Sequence, residues 1–244
     1  MLLPSFVLVH GAWHDASAWD QLRSSLGGRG LRSVAVDLPI DDVAVDASGY
    51  ARLIADAASE LSADGEPPVI VGHSMSGIAI PLVPALVPVR RLVFLGALIP
   101  APGRTMASVQ ADEHVLGDTS AVARDAYGRS YWTSAQAAIE VMYHDCDPAL
   151  AEVAAARLRP QARTPHDEPC PLPGFPDVPT SYFVMRDDRM IRPEWSRAVA
   201  RRRLGVEPIE LPGGHSPMLA DPARLTDVLI ALTRTDAREY LRRQ

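Results

Sequence analysis

At 244 residues with 47% hydrophobic and 22% charged positions, the chain has the length and composition of one α/β domain able to bury a full core. Its net charge is −6, and the only basic run is Arg201-Arg202-Arg203, which reads as a solvated helix end, so nucleic acid is not an expected partner. No apolar run approaches the length of a membrane span, and every basic residue is Arg, since the chain contains neither Lys nor Asn.

Ser5-Phe6-Val7-Leu8-Val9 is a continuous apolar run ending at His10-Gly11, the pattern of a buried parallel strand. Ser17 with Asp20 resembles a capping box for a helix whose inner face is Trp19, Leu22 and Leu26, stopped by Gly27-Gly28. Ser33–Asp37 is a second strand. Tyr50, Leu53, Ile54, Ala57 and Leu61 recur at helical spacing and predict an amphipathic helix over 49–63. Val69-Ile70-Val71 is a third strand, followed by a helix from Ser76. Pro81 and Pro84 fall inside that helix, where each removes an N–H, so a kink or early end is expected.

Arg91–Leu95 and Thr180–Met185 are the fourth and fifth strands, and Pro193–Leu204 is a helix. Val206–Leu211 is a sixth strand, which its Pro208 assigns to an edge. Asp221-Pro222 opens a last helix with Leu225, Val228, Leu229 and Leu232 on one face. This alternation predicts a single α/β domain over 1–244, with a mainly parallel six-stranded sheet covered on both faces. The stretch from about 102 to 179 breaks the alternation. It is helical over Ser134–Tyr143 and Pro148–Leu158, then Pro-rich, and it follows a strand C-terminus, so it reads as a lid over a ligand crevice.

The chemistry centres on Gly72-His73-Ser74-Met75-Ser76-Gly77, a strand, a tight turn and a helix with Ser74 at the apex. Such a turn lifts a serine hydroxyl clear of the sheet as a nucleophile. The Gly commonly found two residues after the Ser is here Ser76, whose hydroxymethyl is expected to crowd the elbow. A serine nucleophile needs a base and a carboxylate to orient it. Asp187-Asp188 follows the fifth strand and Gly213-Gly214-His215 the sixth, so both candidates lie at the sheet edge that carries Ser74. Adjacent residues at a strand end point in opposite directions, so only one of the two Asp can face His215. Near the N-terminus, the Ala12 N–H after His10-Gly11 is placed to pair with the Met75 N–H as an oxyanion hole. His10 is read as structural, its ring bonded locally to hold the loop.

These motifs, Val-His-Gly-Ala-Trp-His at 9–14, Gly-His-Ser-Met-Ser-Gly at 72–77, Asp-Arg-Met-Ile-Arg-Pro at 188–193 and Gly-Gly-His-Ser-Pro-Met at 213–218, resemble in order and spacing one family. It is the compact α/β-hydrolases related to plant methylesterases and hydroxynitrile lyases. The resemblance implies an α/β-hydrolase fold with a small helical cap, no cofactor and no metal, and a small ester as substrate. It also selects Asp188 over Asp187, by the Asp-Arg-x-Ile pattern. The lyases of this family use Thr after the first His and a Lys, whereas here Gly11 takes that place and no Lys exists. Dehalogenase and epoxide-hydrolase relatives need a carboxylate where Ser74 stands.

The pocket is expected to be walled by Trp13, Leu98, Met190 and Met218, with Trp132, Met142 and Tyr143 from the lid, a largely apolar set suited to a small or medium hydrophobic ester or lactone. Tyr143-His144-Asp145-Cys146 lacks metal-ligand spacing and reads as a helix end. Cys146 and Cys170 fit free thiols in a reduced compartment, and with no secretory pattern ahead of the first strand the expected location is cytoplasmic. A homodimer is compatible with all of this. The predicted activity is a serine carboxylesterase. The rivals are a thioesterase, a non-hydrolytic biosynthetic enzyme of cyclase or decarboxylase type, and a ligand receptor that kept the triad.

Overall fold

Six apolar runs pair side by side as the strands β1 (Phe6–Val9), β2 (Ser33–Val36), β3 (Val69–His73), β4 (Arg91–Leu95), β7 (Thr180–Met185) and β8 (Ile209–Leu211). The computed structural model describes residues 4–62 and 65–234. The sheet order is β2-β1-β3-β4-β7-β8 and every neighbouring pair is parallel. All six C-termini therefore share one edge. A separate antiparallel hairpin joins β5 (Val122–Arg124) to β6 (Ser130–Trp132).

Alternate strand residues point to opposite faces, and each face buries its own core. Phe6, Leu8, Val71, Val93 and Phe183 pack with Trp19, with Leu22 and Leu26 of α1 (Asp20–Gly28), and with Leu225, Val228 and Leu229 of α8 (Pro222–Arg234). Val7, Val9, Ile70, Phe94 and Tyr182 form the other face, covered by α2 (Ala47–Leu61) and α7 (Pro193–Leu204). Burial on both faces is why the inner strands β1, β3 and β4 read as near-continuous apolar runs, whereas at the edge β8 alternates, with Glu210 exposed between Ile209 and Leu211.

Several boundaries differ from expectation for identifiable reasons. Helix α2 begins at Ala47 because the Asp46 carboxylate accepts the Gly49 N–H at 2.6 Å. Its inner face is carried by Tyr50, Ile54 and Ala58, while Leu53 is exposed; the expected end at Ala63 lies outside the described residues. The first helical turn, Ala16–Trp19, is a 3₁₀ helix capped by Asp15, which accepts from the Ser17 N–H, so the Ser17–Asp20 capping box is not formed. After Ser74 there is no continuous α-helix. Two 3₁₀ segments, Ser74–Ile78 and Ile80–Ala85, replace it. Pro81 and Pro84 have no N–H to give to an i−4 carbonyl, and the chain closes shorter bonds instead, Leu82 N–H to Ala79 C=O among them. Strand β8 keeps only three residues at the sheet edge, beginning just after Pro208.

Between β4 and β7 the chain forms α3 (Met106–Glu113), the β5–β6 hairpin, α4 (Ala135–Met142), α5 (Pro148–Ala156) and the short α6 (Thr164–Asp167). Sequence periodicity shows α4 and α5 but neither α3 nor the hairpin. Long-range backbone bonds hold this segment over the C-terminal edge of the sheet. The Arg159 N–H donates to the Trp13 carbonyl at 2.7 Å, the Ala162 N–H to Ile40 at 2.6 Å and the Gly117 N–H to Met190 at 2.9 Å. Cys146 and Cys170 are both free thiols. Among the described residues no helix is long and apolar enough to cross a membrane.

Candidate active site

Ser74 follows β3 directly and has φ of 52°, a left-handed conformation that is costly for a residue with a Cβ. Its surroundings hold it there. The Leu98 N–H, just beyond β4, donates to the Ser74 carbonyl at 2.9 Å. Buried Ser76 does not crowd the elbow as expected. Its hydroxyl lies 3.0 Å from the Val9 carbonyl and 2.9 Å from that of His73, tying the turn to β1. Gly11 lies so close to the elbow that a Cβ there would sit 2.8 Å from the Ser74 Cβ.

His215 and Asp188 come from the loops after β8 and β7 and meet at 2.8 Å, His215 Nδ1 to Asp188 Oδ2. Asp188 Oδ1 accepts the Met190 and Ile191 N–H groups at 2.8 and 2.9 Å, so both its oxygens are engaged. Asp187 points away. It is exposed, and its carboxylate accepts from the Gly213 N–H. Since Nδ1 donates to a carboxylate, Nε2 is the nitrogen of His215 left with a lone pair. His73 links this loop to the elbow, its Nε2–H donating to the His215 carbonyl at 2.8 Å and its ring 4.6 Å from the His215 ring. Burial, then the neighbouring His215, holds the His73 pKa well below its ordinary value. Among the described residues, no hydrogen bond joins the Ser74 hydroxyl to the His215 ring.

The Gly213-Gly214 pair is explained by a partner that sequence reasoning dismissed. The Gly214 N–H donates to Asp145 Oδ2 at 2.6 Å, and a Cβ on Gly214 would fall 2.6 Å from His144 Nε2 and 2.7 Å from Asp145 Oδ1. His144 Nε2–H in turn donates to the Asp187 carbonyl at 3.0 Å. The pair after α4 is thus a clasp on the two loops that carry His215 and Asp188.

The loop after β1 is equally determined. His10 Nε2 accepts the Leu38 N–H at 2.9 Å, so Nδ1 carries the proton and donates to the Gly11 carbonyl at 2.9 Å. That carbonyl belongs to the same trans peptide as the Ala12 N–H and points opposite to it, so fixing one aims the other. His14 Nδ1–H donates to the Ala12 carbonyl at 2.7 Å, and its Nε2 accepts from the Tyr143 hydroxyl at 2.6 Å. Burial lowers the His14 pKa to about 4 and raises that of Tyr143, so both are neutral near pH 7. Trp13 is held at φ of 65°, its indole N–H donating to Ser130. Among the described residues, neither the Ala12 nor the Met75 N–H is donated to another protein group.

Ser74, Ala12 and Met75 open onto one cavity of about 220 Å³. Of the expected wall residues, Trp13, Leu98 and Met190 line it. The other four do not. Trp132 stands behind Trp13, edge-on at 5.5 Å between ring centroids. Met142 is buried in the core below. Tyr143 is drawn back by its bond to His14, and with Met218 it lines a second hollow of about 250 Å³. The wall is less apolar than expected: Leu116, Val122 and Ala162 join it, but so do Gln110, Thr119, Arg124, Arg163 and His166, none of them foreseen. They lie where the sequence carries no helical or strand period, and only the fold brings them together.

A family model described as the alpha/beta hydrolase family matches residues 6–228. The esterase PIR7B of Oryza sativa subsp. japonica is 28% identical over 253 residues, covering 93% of this chain and 94% of that protein. The alpha-hydroxynitrile lyase of Arabidopsis thaliana is 27% identical, covering 93% of this chain and 96% of its own. Among solved structures, a pyrethroid hydrolase from Sphingobium faniae JZ-2 superposes with a TM-score of 0.78 at 23% identity, covering 97% of this chain and 100% of that one. The last is a likeness of fold.

Proposed function

The chain belongs to the alpha/beta hydrolase family, and from that premise we propose that it is a serine carboxylesterase acting on a small to medium ester or lactone through an acyl-enzyme. The observation that carries this reading is the opening of Ser74, in its left-handed turn, onto the same cavity as the undonated N–H groups of Ala12 and Met75.

In the reaction, His215 Nε2 takes the Ser74 proton as the hydroxyl oxygen attacks the ester carbonyl carbon. The carbonyl oxygen becomes an oxyanion between the Ala12 and Met75 N–H groups, a pair of donors that typically contributes several kcal/mol. The C–O bond to the alcohol breaks, and the imidazolium, steadied by Asp188, gives its proton to the leaving oxygen. Water then attacks the acyl-enzyme, His215 accepts its proton and returns one to Ser74, and the carboxylic acid departs. The contact between Ser74 and His215 forms as substrate enters, since such catalytic bonds commonly tighten only in the complex. The relative named an esterase supports hydrolysis, and the absence of any Lys argues against lyase chemistry on this frame.

A p-nitrophenyl ester series from acetate to decanoate, run on the wild type beside Ser74→Ala, tests the reading. The expected result is turnover with a chain-length optimum in the wild type and none in the folded variant. Equal turnover by both, or none by either, contradicts it.

A further inference from the structure

The cavity before Ser74 has two unlike ends. Next to the serine its wall is apolar, from Ala12, Met75, Leu98, Met190 and Ile191. The outer end, built by the segment between β4 and β7, mixes apolar Leu116, Val122 and Ala162 with Arg124, Arg163 and His166. No residue lining the cavity is Asp or Glu, although acidic residues outnumber basic ones by 30 to 24 in the whole chain. The second hollow, by contrast, is lined by Asp15 and Asp20 as well as Arg157. The shortage of carboxylates is a property of the Ser74 cavity and not of the surface at large.

The two guanidinium groups are not equivalent. Arg163 is engaged by both oxygens of Asp167 through its Nε and a terminal nitrogen. Arg124, on β5, donates only to the Gly128 carbonyl at 3.2 Å and has no carboxylate partner among the described residues. It nonetheless lies close enough to act electrostatically on His166 and Asp167. The His166 ring makes no hydrogen bond among the described residues, and burial, reinforced by Arg163, lowers its pKa to about 4. His166 is therefore a neutral hydrogen-bonding group beside a cation. With Arg163 cancelled by Asp167, the outer end holds one uncompensated positive charge. One such charge suits a monoanion; a phosphate dianion would call for two.

We propose that the preferred substrate is an ester or lactone whose acyl part bears a free carboxylate, received by Arg124 and His166 while its carbonyl lies between the Ala12 and Met75 N–H groups. This assignment rests on the esterase reading and adds to it the substrate class, half-esters of dicarboxylic acids being the simplest members.

The test uses methyl esters matched in length, the monomethyl esters of succinic to suberic acid against the methyl esters of the corresponding monoacids. Rates are followed by acid release with the wild type and Arg124→Gln. At one chain length the wild type should favour the acid member by about tenfold in kcat/KM, and added salt should erode the preference. Arg124→Gln should lower the rate on the acid member about tenfold more than on its neutral twin. Wild-type rates that favour the neutral member at every length, or a variant that slows both equally, overturn the proposal. Calorimetry of the same pairs on Ser74→Ala separates this claim from the chemistry. Selective binding of the acid member, lost on adding Arg124→Gln, upholds the charged end even if no ester is turned over. Equal binding of both members, or of neither, rejects it even if esters are hydrolysed.

Discussion

At the C-terminal edge of the sheet, each chemical group hangs within four residues of a strand end. Ala12 follows β1, Ser74 follows β3, Asp188 follows β7 and His215 follows β8. The segment between β4 and β7 contributes the rest of the cavity with no such rule. Its residues reach the site through contacts far along the chain, such as Arg159 to Trp13 and Asp145 to Gly214. The first region is held by strand register, so its groups should act as one unit on the rate. The second is held by scattered polar contacts, so its residues should tune binding and loop order individually.

The sharpest way to break this contrast is the adjacent pair at the end of β7. Asp188→Asn should lower kcat by about 10⁴, the loss expected when the orienting carboxylate no longer fixes the tautomer of its histidine. Asp187→Asn should change it by no more than about twofold, because its carboxylate is exposed and faces Gly213. Similar losses in kcat on p-nitrophenyl butyrate would mean that strand-end geometry does not select the residue.

The next effect is on stability and separates the neutral histidines from the reacting one. His14 has a native pKa of about 4 against an ordinary 6.5. Above pH 6.5 neither the folded nor the unfolded state binds the proton and the stability is complete. As the pH falls from 6.5 towards 4 the unfolded state takes the proton first, and the native state loses up to about 3 kcal/mol. Urea midpoints at pH 7 and pH 4.5 should therefore differ less for His14→Gln than for the wild type; an unchanged difference would remove His14 from the account.

Asp145→Ala tests the clasp on the catalytic loops. It should lower kcat/KM by about tenfold while moving Tm little, since the bond is made at an exposed carboxylate. A loss of stability as large as the loss of rate would make it an ordinary structural contact. Ser76→Gly, which restores the commoner elbow residue, should cost about 1 kcal/mol in urea denaturation because a buried hydrogen bond is lost. A gain in stability would revive the idea that Ser76 crowds the turn.

The same contrast explains what could be read from residues alone. The inner strands were legible because burial on both faces leaves near-unbroken apolar runs, and Ser74, Asp188 and His215 were legible because each comes within four residues of a strand end. The cavity wall was not. Arg124 sits on a three-residue strand too short to show alternation, and His166 lies in a one-turn helix preceded by no cap signal. The His144-Asp145 pair looked like a helix end because its partner, Gly214, is 69 residues away from Asp145. Tyr143 and Met218 were expected on the cavity wall and are buried elsewhere, since an apolar side chain in sequence does not say which of two hollows it faces.

The most direct test of the central claim is to trap the intermediate. Wild-type protein mixed with p-nitrophenyl acetate and quenched in acid during the burst should carry one acetyl group, located by peptide mass spectrometry on Ser74 and lost on further incubation at neutral pH. An acetyl group found on another residue, or nitrophenolate released with Ser74 unmodified at every time point, would contradict the acyl-enzyme mechanism.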